Sequence, residues 1–526
     1  MIVMGTIRWR LVSVQSGSMV GADCFDWTVS GNSACLKLSV TVIVSSDNTN
    51  NWSHSMKFTR LMISAAAMGF LVACSETPAP VDLAIENVTL VDAVNPTREG
   101  KTVLVNDGII VEIIDSGTDF LAIEAIDATG KYLIPGLWDF HVHFTYDTRF
   151  TDAMGGLFLY HGVTNVRDTG GLLEDLLPVV EHLRAPQTVA PAIWFAGPLL
   201  DGGDVVYDGI NLPGLGVANA TPDEARTNIA AIHEAGASFL KIYEMVTPEV
   251  FEAIVDEAGQ RGLPIDGHVP LSMRAREVAS KVQSLEHLRN YELDCVSDPE
   301  ALRATRRGEL TNELGEPGSA LRARLHRLQR IPAILDEDDT ECLASTEALK
   351  STISVPTLRL NSMRLNVPLL RDDFDAALEL TPESVKTDWG NAKTQLLSID
   401  RAIDTTFDEW SMRRTEELHA VGAPIAAGTD TPIGWSIPGY SLHTELEQFV
   451  DVGMTPKEAL YTATVRPAEF FGLEGEMGEL RVGFIADAVL LDANPLENIK
   501  HTRRVQGVLH RGTFLDRSDL DQLIDK

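Results

Sequence analysis

The chain has 526 residues, 44% hydrophobic and 23% charged, a globular composition that excludes collagen-like, disulfide-scaffold and wholly disordered chains. Forty-three basic against 76 acidic side chains leave a formal charge of −33. Such a surface repels phosphate backbones, so nucleic acid is not an expected partner. At roughly 150 residues per domain the length suggests about three domains, although one α/β barrel takes up 250 residues or more.

The first apolar run begins at Met56, in MKFTRLMISAAAMGFLVACSE. Lys57 and Arg60 give it a basic lead, and residues 61–72 form an apolar stretch too short for a comfortable membrane span. It closes on Leu71-Val72-Ala73-Cys74, which resembles a bacterial lipobox. That resemblance implies lipidation of the Cys74 thiol and cleavage just before it. The expectation is a lipoprotein signal peptide over 56–73 and a linker over 74–80. The body would be exported, facing the periplasm, and would reach the membrane through its lipid alone. An ordinary signal peptide with an incidental cysteine, or an N-terminal helix, is the alternative. Residues 1–55 have no clear helical or strand period and precede a signal that works from a true N-terminus, so they are expected to be an unstructured gene-start artefact. Of five cysteines, Cys24 and Cys35 lie in that leader. Cys295 and Cys342 remain, and the sequence leaves their pairing open.

Strand-like runs at 83–91, 101–105 and 109–115 follow, separated by Asn95-Pro96 and Asn106-Asp107-Gly108. The runs at 488–491 and 505–510 have the same texture. Between them, eight short apolar strands alternate with helical patterns such as 222–235 and 247–261. The strands are expected at 133–143, 163–167, 192–196, 239–243, 264–268, 284–287, 352–356 and 425–430. The fold class read from this is α/β, a (β/α)8 TIM-like barrel over 133–479. The ends, 81–132 and 480–526, would form one small discontinuous β-sandwich domain. A charged, helix-prone insertion over about 299–349 follows the sixth strand and so emerges at the active-site face. It is read as a lid, an oligomer contact or a solvated excursion, and a homo-oligomer stays open.

The chemistry starts at Asp139-Phe140-His141-Val142-His143. Residues i and i+2 of a strand point to one side, so His141 and His143 present two imidazoles together, as a metal ion needs. Lys241, His268, His287 and Asp430 end the fourth, fifth, sixth and eighth expected strands. C-terminal strand ends of a barrel converge on one pocket, and a lysine inside an apolar strand is costly without a task. Tyr243 shares the Lys241 strand face and is a candidate substrate donor. Arg289, Asn290 and Arg167 are candidates for recognising a carboxylate. The glycine-rich loop 197–216 is expected to shape the pocket and lacks phosphate-loop spacing. His161 and His443 are expected to be structural. His182, His233, His326, His419, His501 and His510 show no paired spacing and are expected in surface or packing positions.

Taken with Gly162-Val163-Thr164-Asn165-Val166-Arg167-Asp168, Gly428-Thr429-Asp430-Thr431 and the tail 486–495, this set resembles the amidohydrolase superfamily, in its imidazolonepropionase-like and prolidase-like branch. The resemblance runs from about Val81 to Ile524. It implies that His141, His143 and Asp430 hold one divalent ion and His268 and His287 a second. Lys241, carboxylated by CO2, would bridge the two. Zinc is the expected metal from nitrogen and oxygen donors. Two ions ~3.5–4 Å apart would share a hydroxide that attacks the scissile carbonyl, with Asp430 moving its proton to the leaving nitrogen. The expected reaction is hydrolysis of an amide C–N bond in a dipeptide or N-acyl amino acid, a small-molecule substrate. A cyclic amide, as in imidazolonepropionase, and an ester, carbamate or phosphotriester are the enzymatic alternatives. The alternative from another class is a catalytically silent binding lipoprotein, since fold alone does not prove activity.

Overall fold

Asp107 and Gly108 both take positive φ, 51° and 73°, the conformation a two-residue Asp-Gly hairpin loop requires. They join β2 (Arg98–Asn106) to β3 (Ile109–Asp115), which follow β1 (Val81–Leu90). The structure is a computed structural model that describes residues 79–398 and 403–524. The segment 1–55, the expected signal peptide over 56–73, Cys74 and nearly all of the expected linker over 74–80 lie outside the described residues. After β3 come β4 (Ala122–Asp127) and β5 (Tyr132–Pro135).

The expected strand at 133–143 divides at Gly136. A Cβ there would stand 2.1 Å from Thr164 Oγ1, so a glycine is needed where the chain leaves β5 and enters the barrel. β6 (Leu137–Val142), β7 (Val163–Asp168) and β8 (Ala192–Phe195) pair in parallel. The loop after β8 carries β9 (Leu199–Asp201) and β10 (Gly216–Ala218). The parallel set β11 (Leu240–Ile242), β12 (Ile265–Gly267), β13 (Ser284–Glu286) and β14 (Ile353–Val355) follows. The Ser238 amide donates to the Phe195 carbonyl at 2.9 Å, linking β8 to the lead of β11.

The eighth segment, 425–431, is bonded on both sides. The Ser354 amide donates to the Pro424 carbonyl at 2.8 Å, and the Phe140 and His143 amides donate to the Ala427 and Thr431 carbonyls, both at 2.9 Å. It is not a regular strand, for two reasons. A Cβ on Gly428 would lie 2.7 Å from that of His141, so the chains run unusually close. Asp430 sits at φ +59°, which turns the backbone out of the ladder. The segments make a TIM-barrel-type α/β fold, and the inner strands are buried on both faces, as parallel strands under helices are.

The surrounding helices start and stop where the sequence marks them. Thr221 and Glu224 form a capping box with Pro222 as the first residue of Pro222–Glu234. Thr247 caps Pro248–Arg261, and Gly262 ends it at φ +68°.

The insertion folds as three helices, Pro299–Glu309, Gly318–Leu335 and Asp339–Ala348. Cys295 and Cys342 are disulfide-bonded, 47 residues apart, and close it at its base. A loop of that length loses about 4 kcal/mol of unfolded-state freedom through the cross-link in the chain-entropy account. The C295S/C342S variant is expected to show a lowered urea midpoint corresponding to roughly that loss. An unchanged midpoint would mean the bond contributes nothing to stability.

At the end of the chain come β15 (Ala488–Leu491), β16 (Val505–His510) and β17 (Thr513–Asp516). They join the first five strands in one hydrogen-bonded mixed sheet of order β17-β16-β15-β5-β1-β2-β3, with β4 on β1. Its buried side chains, among them Leu83, Val103, Leu133, Leu490 and Leu509, form a core separate from that of the barrel. Among the described residues no helix is long and apolar enough to cross a membrane.

Candidate metal centre

β6 carries His141 as its last residue but one and places His143 just beyond its end. Lys241 lies in β11, and His268 and His287 follow β12 and β13 directly. All five, with Asp430, line one cavity of about 260 Å³. His141 Nε2 and His143 Nε2 are 3.3 Å apart. Asp430 Oδ1 lies 3.2 Å from the first and 3.3 Å from the second. His287 Nε2 is 3.8 Å from Asp430 Oδ2. The rings of His268 and His287 meet edge to face with centroids 4.9 Å apart.

Each imidazole is anchored through Nδ1. That of His141 faces Glu286 Oε2 at 2.5 Å, His143 the Gly170 carbonyl at 3.0 Å, and His268 Glu244 Oε1 at 2.9 Å. His287 Nδ1 faces Thr357 Oγ1 at 2.7 Å, whose own hydrogen goes to the Pro356 carbonyl. Acceptors at every Nδ1 assign the hydrogen there and leave the Nε2 lone pairs free. Metal-binding histidines are oriented this way. Burial pushes His141 and His268 down to about 3, so both rings are neutral donors.

These residues fit a divalent cation. Asp430 Oδ1 is buried and receives no hydrogen bond although two ring nitrogens lie within 3.3 Å. Three electron-pair donors facing one another repel unless a cation lies among them. His141, His143 and Asp430 could hold a metal ion together. Lys241 is turned elsewhere, donating from Nζ to Asp266 Oδ2 at 2.8 Å.

Tyr243 and Arg289 line the cavity, and so do Leu199, Tyr207 and Leu215 of the glycine-rich loop. Two expected contacts are corrected. Arg167 is fully buried beneath the site, its guanidinium 3.5 Å above the Phe140 ring and bonded to Phe140 O, Ser284 and Glu286. It closes the barrel interior and does not line the cavity. Asn290, at φ +63°, turns its amide to the Val269 carbonyl at 2.7 Å and does not line the cavity. His326, expected in a surface or packing position, lies with Nε2 2.7 Å from Glu244 Oε2. His161 and His443 pack together, with His443 Nε2 on the His161 carbonyl, as structural residues.

Sequence reasoning missed the carboxylates behind the imidazoles. Glu286 and Asp266 stand one and two residues before His287 and His268, and Glu244 follows Tyr243. All three are fully buried. For Asp266 and Glu286 an acid inside a short apolar strand was the available signal. Arg322 and Arg330 of the insertion also line the cavity, and their run reads like any solvated helix face.

A family model described as Amidohydrolase family matches residues 409–515. Ochratoxinase of Aspergillus niger is 24% identical, with the match covering 82% of this chain and 89% of that protein. Among solved structures, a Xaa-Pro dipeptidase with bound methionine in its active site superposes with a TM-score of 0.59 at 18% identity, covering 82% of this chain and 99% of that one. Bottromycin amidohydrolase superposes at 0.60 and 22% identity, covering 84% and 88%. The fold is of the TIM-barrel type that these similar proteins share, and the similarity supports a hydrolase. Residues 409–515 thus carry an Amidohydrolase family domain, and the chain as a whole is similar to proteins of the amidohydrolase superfamily.

Proposed function

We propose that the protein is a binuclear metal-dependent hydrolase that cleaves the amide C–N bond of a dipeptide or N-acyl amino acid. The observation that carries this is four imidazoles, each fixed through Nδ1, in one cavity with Asp430, whose unbonded Oδ1 faces His141 and His143 within 3.3 Å. His141, His143 and Asp430 would hold one ion, and His268 and His287 the other. Lys241, as the carbamate formed with CO2, would bridge them. Carbamate formation turns a buried cation into an anionic oxygen donor, and its N–H can still face Asp266, which keeps Arg167 Nη2 at 3.6 Å. The bound ions, zinc by donor type, would supply a nucleophilic hydroxide at neutral pH and positive charge for the developing oxyanion.

The remaining steps belong to the chain's own residues. Asp430, ionised at the start, accepts the nucleophile's proton on a carboxylate oxygen and delivers it to the leaving nitrogen, so the amine departs neutral. The Tyr243 hydroxyl donates to the substrate, and Arg289 pairs with its carboxylate. Ochratoxinase, a Xaa-Pro dipeptidase and bottromycin amidohydrolase among the similar proteins agree with amide substrates.

The same reading takes the body as an exported lipoprotein anchored at Cys74 and facing the periplasm. The Cys295–Cys342 bond supports an oxidising compartment. It also takes the terminal strands as a small sandwich domain. Val103 of β2 and Leu509 of β16 share one core although three strands separate them in the sheet, as they would if the sheet curls over itself.

The test is a screen of the zinc-loaded protein beginning at Cys74 with N-acyl amino acids and dipeptides, following release of free amine. Turnover of at least one amide is expected. Release from esters alone would replace this reading with the ester alternative.

A further inference from the structure

Four guanidinium groups gather where the insertion meets the barrel. Arg289 follows β13, and Arg306, Arg322 and Arg330 come from the insertion helices. Arg322, His326 and Arg330 are spaced i, i+4, i+8 along Gly318–Leu335 and so share one helix face. Only two carboxylates meet this cluster. Glu244 accepts Arg322 Nε at 2.9 Å and Nη2 at 2.7 Å. Glu292 lies 3.5 Å from Arg330 Nε, and neither of its oxygens receives a hydrogen bond.

The other groups nearby do not restore the balance. Arg330 Nη2 donates to His326 Nδ1 at 3.0 Å, and burial holds that imidazole well below its ordinary value, hence neutral. Asp408, also in the lining, is occupied by the backbone amides of Arg364 and Leu365 and faces the Arg364 charge. The Nε atoms of Arg289 and Arg330 are buried and bond to nothing. Burial and the neighbouring Arg289 push Arg330 down to about 10.

Four cations against two anions leave two positive charges over, in a largely buried setting where unpaired charge is costly. A substrate with a single carboxylate would answer one of them. An occupant with two would answer both, through charge-assisted and bidentate bonds that guanidinium forms well. We propose that the cavity selects amides of a dicarboxylic amino acid, aspartate or glutamate, whose two carboxylates are held by Arg289, Arg322 and Arg330. The insertion is then the specificity wall of the pocket. The proposal rests on the amide-hydrolase reading for the bond that is cut, and on the charge balance alone for the dianion.

The test compares L-glutamate with L-glutamine, equal in size and different by one charge, by calorimetric titration into the zinc-loaded protein. Ala-Glu and Ala-Gln are compared in turnover beside it. Glutamate is expected to bind about tenfold or more tighter, the scale of one charge-assisted bond, and Ala-Glu to lead in kcat/KM. R330Q should bring the glutamate advantage close to one, and R330K, with the charge but not the fork, should fall between. Equal binding of glutamate and glutamine, or no binding of glutamate, overturns the proposal. If the glutamate advantage holds but no amide is cleaved, the hydrolase reading fails and the subsite stands. If Ala-Glu and Ala-Gln are cleaved alike, the subsite fails alone.

Discussion

Asp430→Asn is expected to lower turnover by about 10²–10⁴-fold, the usual scale for a general acid–base group, while metal content stays unchanged. Asparagine keeps the size of aspartate and one oxygen donor but cannot accept a proton at neutral pH. His141 and His143 remain beside that position, at 3.2 and 3.3 Å from the original Oδ1, and His268, His287 and Lys241 are untouched. Substrate binding should change little, because carbonyl polarisation does not need the base. A tetrahedral phosphonamidate should lose much less affinity than the rate loses. The measurement is turnover and metal content on one preparation. Normal turnover with full metal would reduce Asp430 to a ligand and send the search for the proton carrier to Tyr243, which lines the same cavity.

Lys241→Ala is expected to abolish turnover and to lower metal content. It removes the proposed bridge, and it takes the cation from Asp266, whose Oδ2 lies 2.8 Å from Nζ inside the barrel. Stripping one partner from a buried ion pair costs about 3–5 kcal/mol. Arg167, 3.6 Å from the other Asp266 oxygen, moderates that loss, so the variant should fold with a reduced denaturation midpoint. Added short carboxylates should enter the space left by the side chain and restore part of the turnover. They could not do so if Lys241 served only to neutralise Asp266. Loss of activity with full metal content and no rescue would assign the lysine that structural role.

Much of the barrel is legible because its signals are local. Pro222 behind Thr221, Gly262 after Arg261 and the apolar strands between helices are set by backbone chemistry within a few residues. The candidate ligands were readable for the same reason: strand ends converge on one pocket, and His141 and His143 sit at i and i+2. The misreadings concern side chains whose direction is fixed at long range. Arg167 ends a strand like the ligands but points into the barrel interior, toward Phe140 and Glu286. Asn290 follows Arg289 directly, yet its left-handed backbone turns it away from the cavity. Arg322 and Arg330 reach the pocket only because the insertion folds back over the barrel, and no periodicity in their own helix encodes that contact. The eighth barrel segment was located but not its shape, since its irregularity comes from the close approach of Gly428 to His141.

The most direct measurement is a zinc titration of chelator-stripped protein while hydrolysis of the best amide is followed. No turnover is expected without metal, then a rise that is complete at about two equivalents per chain, and loss again with excess chelator. Full turnover at zero equivalents, or saturation at one, would contradict the binuclear amide-hydrolase assignment.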